Sequence, residues 1–313
     1  MSAGRDAART LLVALGGNAL VRKGQTGTIA EQFENLRLPL SQVARLSRDW
    51  RIILTHGNGP QVGELLLRQE CCPHSVRLPL EILVAQTQGQ IGYMMESTLD
   101  AELMQLEAGG QKPLVSLISY VVVDADDPAF AAPTKPIGPV LSEEQAASAG
   151  YPVRRTAKGL RRVVASPRPL TIVEKREIAT LVADGFIVIC CGGGGIPVVR
   201  EGRRFCGVDA VIDKDLASAR LAQEVGVDVF VIVTDVAGAY LDYGTPAERL
   251  VERLRIDEAM EHLRGGQFPP GSMGPKIEAC AEFLRGGGSR AVICGMDAIE
   301  DAVAGRGGTE IVR

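Results

Sequence analysis

The apolar residues of this 313-residue chain fall into short, almost unbroken runs. Thr10 to Leu15, Arg51 to Thr55, Phe186 to Cys191, Val227 to Thr234 and Ala291 to Cys294 are each of strand length. A run that is apolar at every position fits a strand covered on both faces, as in a parallel sheet; a half-exposed strand would alternate. Pro113 to Val123 is a further β-rich run. Between the runs the apolar period lengthens to that of a helix. Phe33, Leu36, Leu40, Val43 and Leu46 mark a helix within 29–48, and Val62, Leu65, Leu66 and Gln69 mark one with Pro60 expected at its first position. A long helix is expected over Glu81 to Leu106, with Gly89 and Gly92 as points of close packing. Others are expected over Glu174 to Asp184, Ala217 to Val225 and residues 245–265, and from Ile277 through Cys280, Ala281 and Leu284 to a stop at Gly286. A short helix and a tail follow. Such alternation predicts an α/β fold with an open, mostly parallel sheet and right-handed crossovers.

One segment breaks the alternation. Residues 124–169 are rich in Pro, Ala, charged and small residues, and include Pro133-Thr-Lys-Pro-Ile-Gly-Pro139, Arg154-Arg155 and Arg161-Arg162. This is too long for an ordinary connection. It is expected to be a small subdomain with its own structure or a mobile flap, inserted in one domain spanning 1–313.

Composition narrows the partners. A net charge of −4 and 4% aromatic residues supply neither a polybasic footprint nor stacking surfaces, so nucleic acid is not an expected partner. No apolar stretch reaches the roughly 18 residues of a membrane span, residues 1–9 read as a loose polar leader, and the seven cysteines lack a framework spacing. A soluble, cytoplasmic protein with reduced, mostly buried thiols is expected.

The candidate chemistry lies at strand ends. Gly16-Gly17-Asn18, Gly57-Asn58-Gly59, Gly192 to Gly195 and Thr234-Asp235 each follow a strand-like run. In an open parallel sheet the ligand crevice lies at the strands' carboxyl ends, and glycine there lets backbone N–H groups approach an anion. Lys214 and Lys276 each stand at a helix start, where positive charge is unfavourable unless something anionic is brought to it. Asp215 is placed to cap the helix that follows Lys214 and to orient the lysines rather than act as a base. No Gly-Lys pair occurs, which excludes a Walker P-loop. The stretch from Gly57 to Gly63 is a stretched dinucleotide fingerprint without the acidic residue about 20 positions on, so NAD(P) binding is a weak reading. Phosphoryl transfer needs mainly positive charge and backbone donors, which lysines and glycine loops supply.

Eight strings resemble the carbamate kinase branch of the amino-acid kinase family: Leu-Gly-Gly-Asn-Ala-Leu (15–20), His-Gly-Asn-Gly-Pro-Gln-Val-Gly (56–63), Thr-Lys-Pro-Ile-Gly-Pro (134–139), Arg-Arg-Val-Val (161–164), Gly-Gly-Gly-Gly-Ile-Pro (192–197), Val-Ile-Asp-Lys-Asp-Leu (211–216), Thr-Asp-Val (234–236) and Gly-Ser-Met-Gly-Pro-Lys (271–276). They follow one another in order over nearly the whole chain. The resemblance implies a three-layer αβα sandwich and phosphoryl transfer between ATP and carbamate, run mainly from carbamoyl phosphate and ADP. It implies Mg²⁺ held by the nucleotide phosphates rather than by the protein, and a homodimer. By position, Lys214 and Lys276 would stabilise the transferring group, with Asp215 holding them. Gly16, Gly17, Asn18, Gly57, Asn58, Gly193 and Gly194 would cradle the carbamoyl phosphate side, and Lys135 would reach in from the excursion. Lys214 and Lys276 would also touch the nucleotide, which Asp235, Tyr240 and Met273 would border. The alternatives are a related kinase acting on another small acid or phosphate (acetylglutamate, aspartate, uridylate) and a non-catalytic sensor.

Overall fold

The computed structural model describes residues 9–71, 76–106, 112–156 and 159–313; Cys72 and the leader up to residue 8 lie outside them. In chain order the elements are β1 (Thr10–Leu15), α1 (Ile29–Leu46), β2 (Arg51–His56), α2 (Gly59–Cys71), α3 (Leu80–Gln105), β3 (Leu114–Ser116), β4 (Tyr120–Val122), β5 (Lys135–Leu141), α4 (Glu143–Ala147), β6 (Val153–Thr156), β7 (Gly159–Val164) and β8 (Thr171–Ile172). There follow α5 (Lys175–Ala183), β9 (Ile187–Ile189), β10 (Ile196–Glu201), β11 (Arg204–Gly207), α6 (Lys214–Val225), β12 (Val229–Thr234), β13 (Tyr240–Leu241) and β14 (Arg249–Leu250). The chain ends with β15 (Arg253–Arg255), α7 (Ile256–Arg264), α8 (Met273–Arg285), β16 (Arg290–Gly295), α9 (Ile299–Val303) and β17 (Thr309–Val312).

The unbroken apolar runs form the middle of an eight-stranded sheet ordered β15-β17-β16-β12-β1-β2-β9-β3. From β16 to β3 every pairing is parallel, while β17 and β15 run against the rest at one edge. Successive side chains of a strand point to opposite faces. Leu12, Ala14, Ile53, Phe230 and Ile293 therefore pack into one core with α5, α6 and α8. Leu11, Val13, Ile52, Val231 and Val292 pack into the other with α1, α3 and α9. Both faces are covered, which is why the runs carry no polar alternation, and the result is the expected αβα sandwich.

The run 113–123 is not one strand. β3 ends in the main sheet, the chain bends at buried Ser119, and β4 joins a second sheet ordered β11-β10-β4-β8. Its parallel neighbour β9 leaves the main sheet with it and reappears as β10 beside β4. The polyglycine turn 192–195 is the crossing point.

Within 124–169, β5, β7 and β6 form a separate three-stranded antiparallel sheet, accompanied by α4. Ile137 and Val164 of that sheet share a third core with Val62 of α2, Val84 of α3 and Val198 of β10. The tightest contact is backbone on backbone: a Cβ on Gly63 would lie 2.1 Å from the Gly138 Cα. The glycine that ends the stretched fingerprint thus seats this sheet on α2.

Several boundaries differ from expectation. Pro60 is the second residue of α2, not the first. Gly92 does pack closely, its added Cβ falling 2.9 Å from Ser116, but Gly89 faces open space. Residues 245–265 are helical only over α7, because Arg253 to Arg255 are drawn into the sheet beside β17, itself the supposed tail. Of the six described cysteines all are free, and Cys190, Cys191, Cys280 and Cys294 are buried. No helix among the described residues is long and apolar enough to cross a membrane.

Replacing Gly63 with Ala should lower unfolding stability by about 2 kcal/mol, the cost of overpacking against backbone that cannot yield. Gly89→Ala should instead be neutral or stabilise by up to about 1 kcal/mol through helix propensity. Urea unfolding midpoints measure both, and equal shifts would contradict the seating role of Gly63.

Candidate active site

Four strand ends meet. Gly16 and Gly17 follow β1, His56 and Gly57 close β2, the polyglycine turn follows β9, and Thr234 closes β12. Their approach is close: a Cβ on Gly57 would lie 3.1 Å from the Gly17 nitrogen, and one on Gly16 would lie 3.0 Å from the Val233 oxygen. In the polyglycine turn Gly193, Gly194 and Gly195 all have positive φ. Added Cβ atoms there would strike the Asn58 amide at 2.2 Å, the Ile212 carbonyl at 2.4 Å and Val121 at 2.1 Å. These glycines are demanded by their protein neighbours, independently of any ligand.

A buried polar web fixes the turn. Gln88 of α3 donates to the Gly192 oxygen at 3.0 Å and accepts from the Ser119 N–H at 2.9 Å, and the Ser119 hydroxyl accepts from the Cys191 N–H at 3.0 Å. Asn58 donates its amide to Thr87 at 2.9 Å. Asn18, on the short turn after β1, is half-buried and makes no hydrogen bond through its side chain among the described residues.

Against this floor stands the charged cluster. Lys214 opens α6 and Lys276 lies in the first turn of α8, so both ammonium groups sit at helix N-termini. Asp215, only 3% exposed, takes one lysine on each oxygen: Lys214 on Oδ1, and Lys276 on Oδ2 at 3.0 Å. Burial works against the Asp215 carboxylate, but the two lysines outweigh it and hold the group well below the usual carboxylate range. Burial and the neighbouring Lys276 charge pull Lys214 down despite Asp215. For Lys276 burial is overcome by Asp215, with Asp213 and Asp235 adding, and its value rises. Asp215 pairs with both lysines but does not cap α6.

The cap is Asp213. Its Oδ1 accepts from the N–H groups of Asp215 at 2.9 Å and Leu216 at 3.4 Å. Its Oδ2 receives Lys135 from β5. Lys135 is therefore no solvated loop charge but a part-buried partner of the cluster. Three lysines and two aspartates leave one net positive charge, reinforced by two helix N-termini. The arrangement favours an anion.

The residues expected to border a nucleotide lie to one side. Asp235 is exposed at the end of β12, with its charge felt by Lys276. Met273 is the half-buried first residue of α8. Tyr240 is on β13, its ring 5.8 Å from that of Tyr243. No hydrogen bond or ion pair among the described residues joins Asp235 or Tyr240 to the lysines. A cavity of about 590 Å³ opens elsewhere, by Tyr93, Glu96, Lys112 and Leu114, with none of the cluster on its wall. Converging charge, rather than volume, marks this site.

Asp213, His56, Gln88 and Ser119 escaped the sequence reading. Asp213 carried a usable signal, since a carboxylate two residues before the first buried helical position is a standard N-cap. Gln88 and Ser119 carried none, because the partners that place them are 31 to 104 positions away, and nothing in the sequence marks His56 as buried.

An open parallel sheet with cationic helix starts over glycine-rich strand ends defines a phosphate-handling α/β protein. Residues 9–295 match the amino acid kinase family, and the chain belongs to that family. It is 44% identical to the carbamate kinase of Thermococcus kodakarensis, over 97% of this chain and 99% of that protein. It is 40% identical to the carbamate kinase of Escherichia coli K12, over 96% and 98% of the two chains. Its fold overlays the carbamate kinase from Giardia lamblia bound to AMP-PNP with a TM-score of 0.89, at 38% identity over 98% and 99% of the chains.

His56 supplies a pH test. Burial, and more weakly the Lys214 charge, press its imidazole down to about 4, against a weaker upward pull from the Gly57 carbonyl. Protons then bind the unfolded chain first, so stability should fall as pH drops from about 6.5 towards 4. Between pH 7 and 4.5 the loss traceable to His56 is about 2–3 kcal/mol. Urea unfolding of wild type and His56→Gln at both pH values measures it; the same acid loss in the variant would contradict a buried neutral imidazole.

Proposed function

We propose that this protein is a carbamate kinase, moving a phosphoryl group between ATP and carbamate and running mainly from carbamoyl phosphate and ADP to ATP and carbamate, which yields ammonia and CO₂. The observation that carries this reading is the buried Lys214–Asp215–Lys276 pairing at the carboxyl ends of the central strands. A phosphoryl group in transit spreads negative charge over its equatorial oxygens, and fixed positive charge in a site of low dielectric stabilises it without reorganisation. Lys214 and Lys276 supply that charge. Asp215, with both oxygens engaged and its proton held off, positions them and is not a base.

Gly16, Gly17, Asn18, Gly57, Asn58, Gly193 and Gly194 receive the carbamoyl phosphate side, with Lys135 above them on a lid-like subdomain spanning 124–169. Asp235, Tyr240 and Met273 border the nucleotide. No three His, Cys, Asp or Glu side chains among the described residues converge as a metal cage. Mg²⁺ keeps several waters and rests on substrate phosphates, so it needs none, and it would neutralise charge on the nucleotide. The protein acts in the cytoplasm as a two-fold homodimer, which covers the open edge at β3; a light-scattering mass of one 33.3 kDa chain would rule the dimer out.

Purified protein with Mg²⁺ should form ATP from ADP and carbamoyl phosphate faster than carbamoyl phosphate decays in buffer, and more readily than from other acyl phosphates. Lys214→Ala and Lys276→Ala should each lose about 10²–10³-fold in turnover, the usual cost of removing one preorganised charge-stabilising group. A folded protein without ATP formation would refute the reading, and near-normal alanine variants would refute the assigned roles.

A further inference from the structure

Among the described residues, Asp213 is the charged group that joins Lys135 to the start of α6. Its Oδ1 is committed to the first turn of α6, the helix that carries Lys214 and Asp215. Its Oδ2 is bound to Lys135, which belongs to the separate three-stranded sheet. The side chain is 12% exposed, so little water reaches the carboxylate. Lys135 is its one direct cationic partner among the described residues, although Lys276 also acts on it at longer range.

The backbone repeats the connection. Lys135 is paired across β5 and β7 with Val164. The next residue, Ala165, accepts the Val211 N–H at 3.0 Å and forms a bridge with Ala210. Two residues further on is Asp213 itself. The return strand of the inserted sheet and the approach to α6 thus run side by side, held by one main-chain bond and one ion pair.

We propose that Asp213 is a positioning residue: it docks the inserted sheet on the catalytic helix through Lys135 and aims that ammonium at the substrate before substrate arrives. Removing a partner from a buried carboxylate leaves an uncompensated charge, a strongly unfavourable state. Lys135 therefore stays on Asp213 when substrate binds and offers its remaining ammonium hydrogens to the anion, since lysine has three donors. Binding energy is then not spent on ordering the inserted sheet, and the affinity gained is that of preorganisation. The substrate named here rests on the carbamate kinase reading; the docking does not.

Asp213→Asn is the decisive variant, because asparagine caps a helix as well as aspartate but carries no charge for Lys135. Amide hydrogen exchange on the ligand-free protein should show β5 and β7 less protected in Asp213→Asn, by about tenfold, with α6 protected as in wild type. Lys135→Ala should produce the same change, and the double variant no more than either single one. With carbamoyl phosphate as substrate, KM in Asp213→Asn should rise about tenfold while KM for ADP holds, a shift of about 1.4 kcal/mol. Unchanged protection of β5 and β7, or additive effects of the two substitutions, would overturn the proposal. Loss of protection in a protein that uses no carbamoyl phosphate would leave the docking intact and refute the substrate instead.

Discussion

Everything in this crevice depends on one carboxylate held between two ammonium groups. Lys214 and Lys276 stand at the N-termini of α6 and α8, where the helix dipole opposes positive charge. Both side chains are largely withdrawn from water, at 10% and 12% exposure. Neither position is tenable alone. Asp215 makes both tenable by giving each lysine its own oxygen, and α6 and α8 lie packed together so that it reaches both. The cost of burying such a group is repaid only with near-complete hydrogen bonding, and removing one partner of a buried pair costs several kcal/mol. The remaining positive charge points to where the strand ends open.

The sandwich was legible because its central strands are buried on both faces, and double burial writes itself as unbroken runs such as Leu11 to Leu15 and Val229 to Val233. The lysines and Asp215 were legible because a cation at a helix start contradicts local preference, and such contradictions gather at functional sites. What escaped has long-range causes. The split of 113–123 into two sheets is set by Ser119, whose partners Gln88 and Cys191 are remote in sequence. Arg253 to Arg255 sit among helical-looking charges and are drawn into a strand by β17. The cap of α6 is a local exception: two aspartates flank Lys214, and the structure gives the cap to Asp213, the one that precedes the first helical residue, rather than to Asp215.

The glycines changed meaning between sequence and fold. Read along the chain, Gly193 and Gly194 offer backbone to an anion. In the fold each one also admits a neighbour: Gly193 the Asn58 amide, Gly194 the carbonyl that leads to Asp213. Close approach and anion binding are compatible, because packing that brings four strand ends together also concentrates their N–H groups. Gly63, which looked like part of a nucleotide fingerprint, serves the seat of the inserted sheet.

The most direct test of the central pairing is the turnover of Asp215→Asn with carbamoyl phosphate and ADP, measured alongside circular dichroism. An asparagine keeps the shape but leaves two buried ammonium groups facing each other uncompensated, so they part and lose their aim. Turnover lower by at least about 10²-fold with secondary structure retained is the predicted result. Turnover within a few-fold of wild type would contradict the claim that Asp215 organises the site.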